Sequence, residues 1–90
     1  MRILVTPTFS RAVKKLHAGQ KVELDTAVRA IADNPELGDA KVGDLVGVRV
    51  FKFRLSNQLC LLAYAQVDEE TIKLLALGSH ENFYRDLKRS

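Results

Sequence analysis

The feature that most constrains the fold is an apolar stretch, Leu59 to Val67 (LCLLAYAQV), in which odd and even positions are both mostly apolar. A strand with this pattern is typical of the centre of a sheet that is covered on both faces. The stretch is far shorter than the roughly 20 apolar residues of a membrane-spanning helix. We therefore expect a layered domain built around this central strand.

Two further strands flank the central one along the chain. After Val48 the sequence alternates, so that Phe51 and Phe53 share one face of a strand and Lys52 and Arg54 share the other. Residues 56–58 (SNQ) form a hairpin turn into the central strand, and residues 68–70 (DEE) form a second turn into a strand over residues 71–77. The aromatic face is expected to meet the helices, which leaves Lys52 and Arg54 on the opposite, more open face.

The first third of the chain predicts a strand and two helices. Residues 2–5 read as a short strand, and Thr6-Pro7 opens a helix through about residue 17. Gly19 is predicted to end that helix, and a second runs from about residue 20 to 33, where Asn34-Pro35 stops it. So short a connection predicts an antiparallel helical hairpin.

Together these elements predict a single α+β domain over residues 1–90. The order is β-α-α-β-β-β plus a short C-terminal helix, with the helical hairpin packed on one face of a small antiparallel sheet. The core between hairpin and sheet is predicted to contain Phe9, Val13, Leu24, Val28, Ile31, Phe51, Phe53 and Leu74.

The composition limits the cellular compartment and the cofactors that we expect for this protein. The net charge is +3, with 14 Lys and Arg against 11 Asp and Glu, which permits a nucleic-acid or acidic-protein partner. The lone cysteine, Cys60, excludes an internal disulfide and is read as a small buried hydrophobe. No signal-peptide or membrane-span pattern occurs, so we expect a cytoplasmic protein with no membrane partner. With one cysteine and two distant histidines, we expect no metal site. The sequence has no glycine-rich phosphate-binding loop, so we expect no cofactor.

Residues 73–89 (KLLALGSHENFYRDLKR) hold the candidate chemistry. If Ser79 caps a helix, Phe83 and Leu87 form one stripe that points into a core, and His80, Tyr84 and Lys88 lie on the flank beside it. A group able to transfer protons, a phenol and a cation are then gathered at the end of a strand. The alternative is an amphipathic helix that only covers the edge of the core.

Cleavage of RNA without a metal requires a base, an acid and cations on the phosphate. His80 can act as base or acid, and Tyr84 can donate a proton or stack on a base. Arg85, with Lys52 and Arg54, can hold the phosphate. As alternatives, Lys52 and Arg54 are ordinary solvated residues, and Arg85 pairs with Glu81 four residues before it.

Two segments carry a resemblance to a known family: residues 34–64 (NPELGDAKVGDLVGVRVFKFRLSNQLCLLAY) and the ending LLALGSHENFYRDLKR. With the order of elements, they resemble the RelE/ParE superfamily of bacterial type II toxins over nearly the whole chain. The resemblance implies either cleavage of mRNA, commonly in the ribosomal A site, or inhibition of DNA gyrase. It also implies a cognate antitoxin whose flexible segment wraps the toxin.

The resemblance assigns roles residue by residue. Lys52 and Arg54 are similar in placement to the basic pair on the second strand of the RelE-like nucleases. His80 and Tyr84 resemble the C-terminal histidine and aromatic residue of several ribosome-dependent nuclease toxins. The departure is Leu61, where RelE-like members place a catalytic arginine. The expected site therefore comprises His80, Tyr84 and Arg85 as catalytic residues, and Lys52, Arg54, Arg49 and Lys88 as RNA- or phosphate-binding residues.

Three functional hypotheses follow. The first is a metal-independent, ribosome-dependent mRNA endoribonuclease that blocks translation. The second is a ParE-like inhibitor of DNA gyrase that is not an enzyme, and the third is an interaction domain that has lost toxicity. In the toxin hypotheses, we expect an acidic antitoxin segment that folds on binding.

Overall fold

The computed structural model describes residues 1–79 and Phe83. The predicted C-terminal helix falls on residues outside this part of the chain, apart from Phe83. In chain order the elements are β1 (Arg2–Val5), α1 (Pro7–Lys14), α2 (Ala18–Asp33), β2 (Asp39–Ala40), a 3-10 turn (Gly43–Leu45), β3 (Arg49–Leu55), β4 (Gln58–Asp68) and β5 (Thr71–Gly78).

The start of α1 is fixed by Thr6, as the sequence predicts. The Thr6 hydroxyl accepts a hydrogen bond from the backbone N–H of Phe9 at 3.0 Å and donates one to the carbonyl of Leu75 at 2.7 Å. Pro7 occupies the first helical position, where its missing N–H costs nothing. The N-cap therefore also ties α1 to β5.

The link between the helices differs from the prediction. The first helix ends at Lys14, and Gly19 lies inside the first turn of α2 instead of ending α1. His17 is the N-cap of α2, and its backbone N–H donates to the Gln20 side-chain oxygen at 3.2 Å. The prediction for Gly19 was wrong because a cap from a residue three positions later outweighed the helix-breaking tendency of glycine.

The sheet has five strands in the order β1-β5-β4-β3-β2. The pairs β3–β4 and β4–β5 are antiparallel, as predicted. The sheet as a whole is mixed and not antiparallel throughout, because β1 pairs with β5 in parallel. Strand β2 was not predicted, since two residues are too few to show an alternating pattern.

The helix-side core matches the predicted one. Phe9, Leu24, Ile31 and Leu74 are buried between the helices and the sheet. The other four predicted core residues are partly buried and pack against the same cluster: Val13, Val28, Phe51 and Phe53.

A second, smaller core lies on the opposite face of the sheet. Phe83, only 2% exposed, packs there with Val50, Leu61, Ala63 and Ala76. Strand β4 is thus covered on both faces, and residues 61–64 are all buried. The prediction of a central strand is confirmed.

Candidate functional site

Lys52 and Arg54 lie side by side on β3, on the face away from the helices. Both are exposed, and their neighbours across β4 are Leu61 and Leu59. The Arg54 guanidinium donates from Nη1 to the carbonyl of Asn57 at 3.1 Å, at the hairpin turn. Within residues 1–79, neither cation forms an ion pair with a carboxylate. As far as these described residues are concerned, both charges are available to an anionic partner.

A row of paired residues, Lys52–Leu61–Gly78, crosses the sheet from β3 to the end of β5, and we call it the Lys52 row. Lys52 pairs with Leu61, and Leu61 pairs with Gly78, the last residue of β5. With strands about 4.8 Å apart, the chain leaves the sheet about 10 Å from the Cα of Lys52. Register thus brings the start of the C-terminal segment to the Lys52 row.

Phe83 shows to which face the chain returns after Gly78. A Cβ added to Gly78 would lie 3.9 Å from Cδ1 of Phe83, and Phe83 packs in the cluster that contains Leu61. Leu61 and Lys52 are cross-strand neighbours and so project from the same face. Phe83 therefore packs on the Lys52 side of the sheet.

Arg49 lies apart from this pair. It alternates with Val50 along β3, so its side chain leaves the face opposite to that of Lys52. Its Nη1 donates to the carbonyls of Gly38 at 2.8 Å and Glu36 at 3.2 Å. The structure does not bring Arg49 together with Lys52, and its phosphate-binding role stays a prediction.

The predicted catalytic residues lie outside the described part of the chain. This applies to His80, Tyr84, Arg85 and Lys88, whose roles remain predictions from the sequence. Among residues that could ligate a metal, no group of three converges within residues 1–79 and Phe83. In the same part of the chain, no helix is long and apolar enough to cross a membrane.

Two interior residues refine the sequence-based site. Leu61 is fully buried. The position at which the resemblance leads us to expect an arginine therefore holds an apolar side chain inside the protein. Cys60 faces the helices and is buried, as expected of a small hydrophobe. Burial raises the pKa of its thiol, which keeps the sulfur protonated and poorly nucleophilic at neutral pH.

Sequence reasoning missed a groove between α2 and β3. It has a volume of about 340 Å³ and lies beside the outer edge of the sheet. The small side chains at positions 26, 27 and 30, opposite the aromatic pair at 51 and 53, were its sequence signal. The groove is lined by Glu23, Thr26, Ala27, Ala30, Phe51, Phe53 and Arg54.

Comparison with known proteins gives a consistent result. The model of a family described as ParE-like toxins of type II bacterial toxin–antitoxin systems matches residues 3–88. No individually curated protein matches the chain significantly.

Solved structures share the fold. The chain is similar to one in the intact E. coli RelBE toxin–antitoxin complex, with a TM-score of 0.70, 16% identity, and coverage of 89% of this chain and 96% of the other. It is also similar to an E. coli RelE mutant in the free state (TM-score 0.70, 17% identity, coverage 89% and 83%). The same mutant bound to an antitoxin RelBc peptide matches with TM-score 0.69, 17% identity, and coverage of 89% and 83%.

Proposed function

Because this chain belongs to the ParE-like toxins of type II bacterial toxin–antitoxin systems, we propose that it is a metal-independent endoribonuclease. Its substrate is mRNA on the ribosome, so it acts in the cytoplasm and arrests translation until its antitoxin binds. The observation that supports this proposal is the row Lys52–Leu61–Gly78, which joins an exposed cation to the residue that precedes His80 by two positions in the sequence. The solved RelE structures that share the fold include complexes with an antitoxin.

Each residue has a place in the reaction. Lys52 and Arg54 hold the phosphodiester backbone through charge-assisted hydrogen bonds. His80 takes the proton of the 2′-hydroxyl or protonates the leaving 5′-oxygen, because its ordinary pKa lies near neutrality. Tyr84 assists by donating a proton or stacking on a base, and Arg85 stabilises the charge on phosphorus.

Inhibition of DNA gyrase is the second candidate function. The observation that favours it is Leu61, a fully buried apolar residue where a RelE-like nuclease would supply a cation. With no cation on that strand position, phosphate stabilisation falls on Arg85 or Lys88. A gyrase inhibitor instead needs a surface that binds protein, and no proton transfer by His80.

The test is expression of the toxin and of two histidine variants in cells. His80→Ala removes the proposed proton-transfer group, and such groups supply about 10² to 10⁴ in rate. His17→Ala is the matched control, because His17 is exposed and lies outside the proposed site. We expect the parent and His17→Ala to cut mRNA and stop growth, and His80→Ala to do neither.

Two results would contradict the nuclease. One is intact mRNA together with double-strand DNA breaks after induction of the parent, which identifies the gyrase inhibitor. The other is a folded His80→Ala protein that cuts mRNA at the parental rate, which removes His80 from the mechanism.

A further inference from the structure

The outer edge of β1 presents backbone groups that no described strand uses. On its inner side β1 pairs in parallel with β5, and just beyond its end the Thr6 N–H donates to the carbonyl of Leu74 at 3.1 Å. Backbone groups alternate in direction along a strand, so the N–H and C=O groups of Ile3 and Val5 point away from β5. Within residues 1–79, no strand pairs with β1 on that outer side.

The side chains of this edge are apolar on both faces of the sheet. Ile3 is 43% exposed, Leu4 is 42% exposed and Val5 is 51% exposed. Ile3 pairs with Ile72 of the helix-side core, so Ile3 and Val5 project from the helix face and Leu4 projects from the other face. Sheet edges are usually protected by charged side chains, and β1 carries none after Arg2. An edge of this kind is a template for a further strand.

We propose that the outer edge of β1 binds the same edge of a second copy of this chain, so that the two sheets join antiparallel about a two-fold axis. Ile3 of one copy lies opposite Val5 of the other, and each such pair exchanges two backbone hydrogen bonds. Leu4 lies on the axis, opposite Leu4 of the second copy. The five strands of each copy then form one continuous sheet, with the helices of both copies on the same face.

This register is the one that pairs apolar side chains with apolar side chains. Ile3 and Val5 supply the outward backbone groups, so the alternative registers differ by two residues. A shift one way would place the charged Arg2 opposite Leu4. A shift the other way would place Ile3 opposite Pro7, which has no N–H and already belongs to α1. The central register avoids both losses.

Charge at the two ends of the interface also favours a second copy. The acidic turn at residues 68–70 lies beside the start of β1, where the Arg2 N–H donates to the carbonyl of Glu70 at 2.6 Å. Antiparallel pairing brings this corner next to the amino terminus of α1 of the second copy. The three carboxylates of the turn outnumber the one guanidinium of Arg2. They complement the positive end of a helix that has no acidic residue in its own first turn.

The proposed dimer leaves the basic face of the sheet open. Strand β3 lies three positions from β1 in the sheet, about 14 Å away at the usual strand spacing. Lys52 and Arg54 of both copies then lie on one face of the joined sheet. Pairing of two copies at β3 would instead bring these cations against each other, and like charges directly opposite destabilise a sheet.

The interface is small, so the dimer should be weak. A contact between two four-residue strands falls below the roughly 1,200 to 2,000 Å² that stable interfaces bury. We therefore expect monomer and dimer to exchange at micromolar concentrations of the chain. This equilibrium does not depend on which toxic activity the chain has.

Single cysteines test the register, in a chain whose own thiol is removed by Cys60→Ala. Leu4→Cys places two thiols opposite each other on the axis, within the distance that a disulfide spans. Ile3→Cys is the matched control, because its two thiols lie diagonally, with Cα atoms about 7 to 8 Å apart. Val22→Cys, exposed on α2, measures random collision.

Under mild oxidation, we expect Leu4→Cys to form a disulfide-linked dimer at least about ten times faster than either control. Equal rates for all three cysteine variants would overturn the proposal. A faster reaction of Ile3→Cys than of Leu4→Cys would overturn it as well, because it excludes this register.

Sedimentation equilibrium of the full chain tests the dimer without a cross-link. Leu4→Lys places like charges on the axis, and Val22→Lys is the control because it adds the same charge at another exposed apolar position. We expect the parent and Val22→Lys to approach twice the monomer mass as concentration rises, and Leu4→Lys to need at least about tenfold more protein. A parent that stays monomeric throughout the micromolar range, or equal association of the two variants, overturns the proposal and leaves the β1 edge to a different partner.

Discussion

Tyr64 lies so close to Gly38 that no side chain fits between them. A Cβ added to Gly38 would lie 2.9 Å from the Tyr64 ring and hydroxyl, and 3.1 Å from the carbonyl carbon of Val50. The Tyr64 hydroxyl accepts from the Gly38 N–H at 2.8 Å and donates to the carbonyl of Pro35 at 2.8 Å. The segment that leaves α2 is thereby fastened to the central strand of the sheet.

Gly38→Ala should destabilise the protein, because the added methyl group meets an aromatic ring held by two hydrogen bonds. Overpacking of this kind typically costs about 1 to 3 kcal/mol. Gly19→Ala is the control, because nothing lies nearer than 3.6 Å to its added Cβ. Urea unfolding measures both, and equal stability of the two variants would contradict the close contact.

Stability should fall at alkaline pH through Cys60. Burial raises the pKa of this thiol in the folded protein above its ordinary value of 9.0. The unfolded chain therefore loses the proton first, and the contribution of Cys60 is complete below the ordinary pKa and lost as pH rises through the folded one. Burial also raises the pKa of Tyr64, so the thiol is best followed below pH 10.

Cys60→Ala supplies the comparison for that pH effect. Its free energy of unfolding should fall less steeply than the parent's between about pH 8 and pH 9.5, where unfolded thiols ionise. Parallel pH profiles for the two proteins would show that the thiol ionises equally easily in both states.

Replacement of the basic residues of β3 should have two different effects, one on RNA binding and one on the stability of the fold. Lys52→Ala with Arg54→Ala should leave stability within about 0.5 kcal/mol, because both side chains are exposed. Under the proposed function, RNA binding should weaken, with a shallower dependence on salt, because the two cations assigned to phosphate are removed. Binding titrations at several salt concentrations measure this, and an unchanged salt slope would exclude both residues from the RNA contact.

Arg49→Ala should lower stability instead. It removes two hydrogen bonds to the carbonyls of Glu36 and Gly38, each worth about 0.5 to 1.5 kcal/mol. Loss of toxicity in this variant would then reflect the fold as well as any RNA contact. An Arg49→Ala protein as stable as the parent in urea would show that these two bonds contribute nothing net.

The stability lost when a phenylalanine is replaced by alanine should increase with the burial of its side chain. Phe9 is 4% exposed, so Phe9→Ala should cost about 3 to 5 kcal/mol, enough to threaten a small domain. The sequence placed Phe53 in the same core, but it is only partly buried and borders the α2–β3 groove. Phe53→Ala should therefore cost clearly less in chemical denaturation; a larger loss than for Phe9→Ala would contradict this ranking.

Features that depend on residues close together along the chain could be predicted from the sequence. Alternation along β3 predicted that Phe51 and Phe53 face the helices and that Lys52 and Arg54 face away. The Thr6-Pro7 pair predicted the start of α1. These predictions are confirmed because side-chain periodicity and capping act within a few residues of the chain.

Relations between residues far apart along the chain could not be predicted in this way. The parallel pairing of β1 with β5, the carbonyl contacts of Arg49 and the row from Lys52 to Gly78 join segments that no local pattern connects. Phe83 was predicted to enter a core, yet packing alone placed it on the face opposite the helices. Contacts of this kind follow from which surfaces meet when the whole chain is compact, and local sequence preferences carry little information about that.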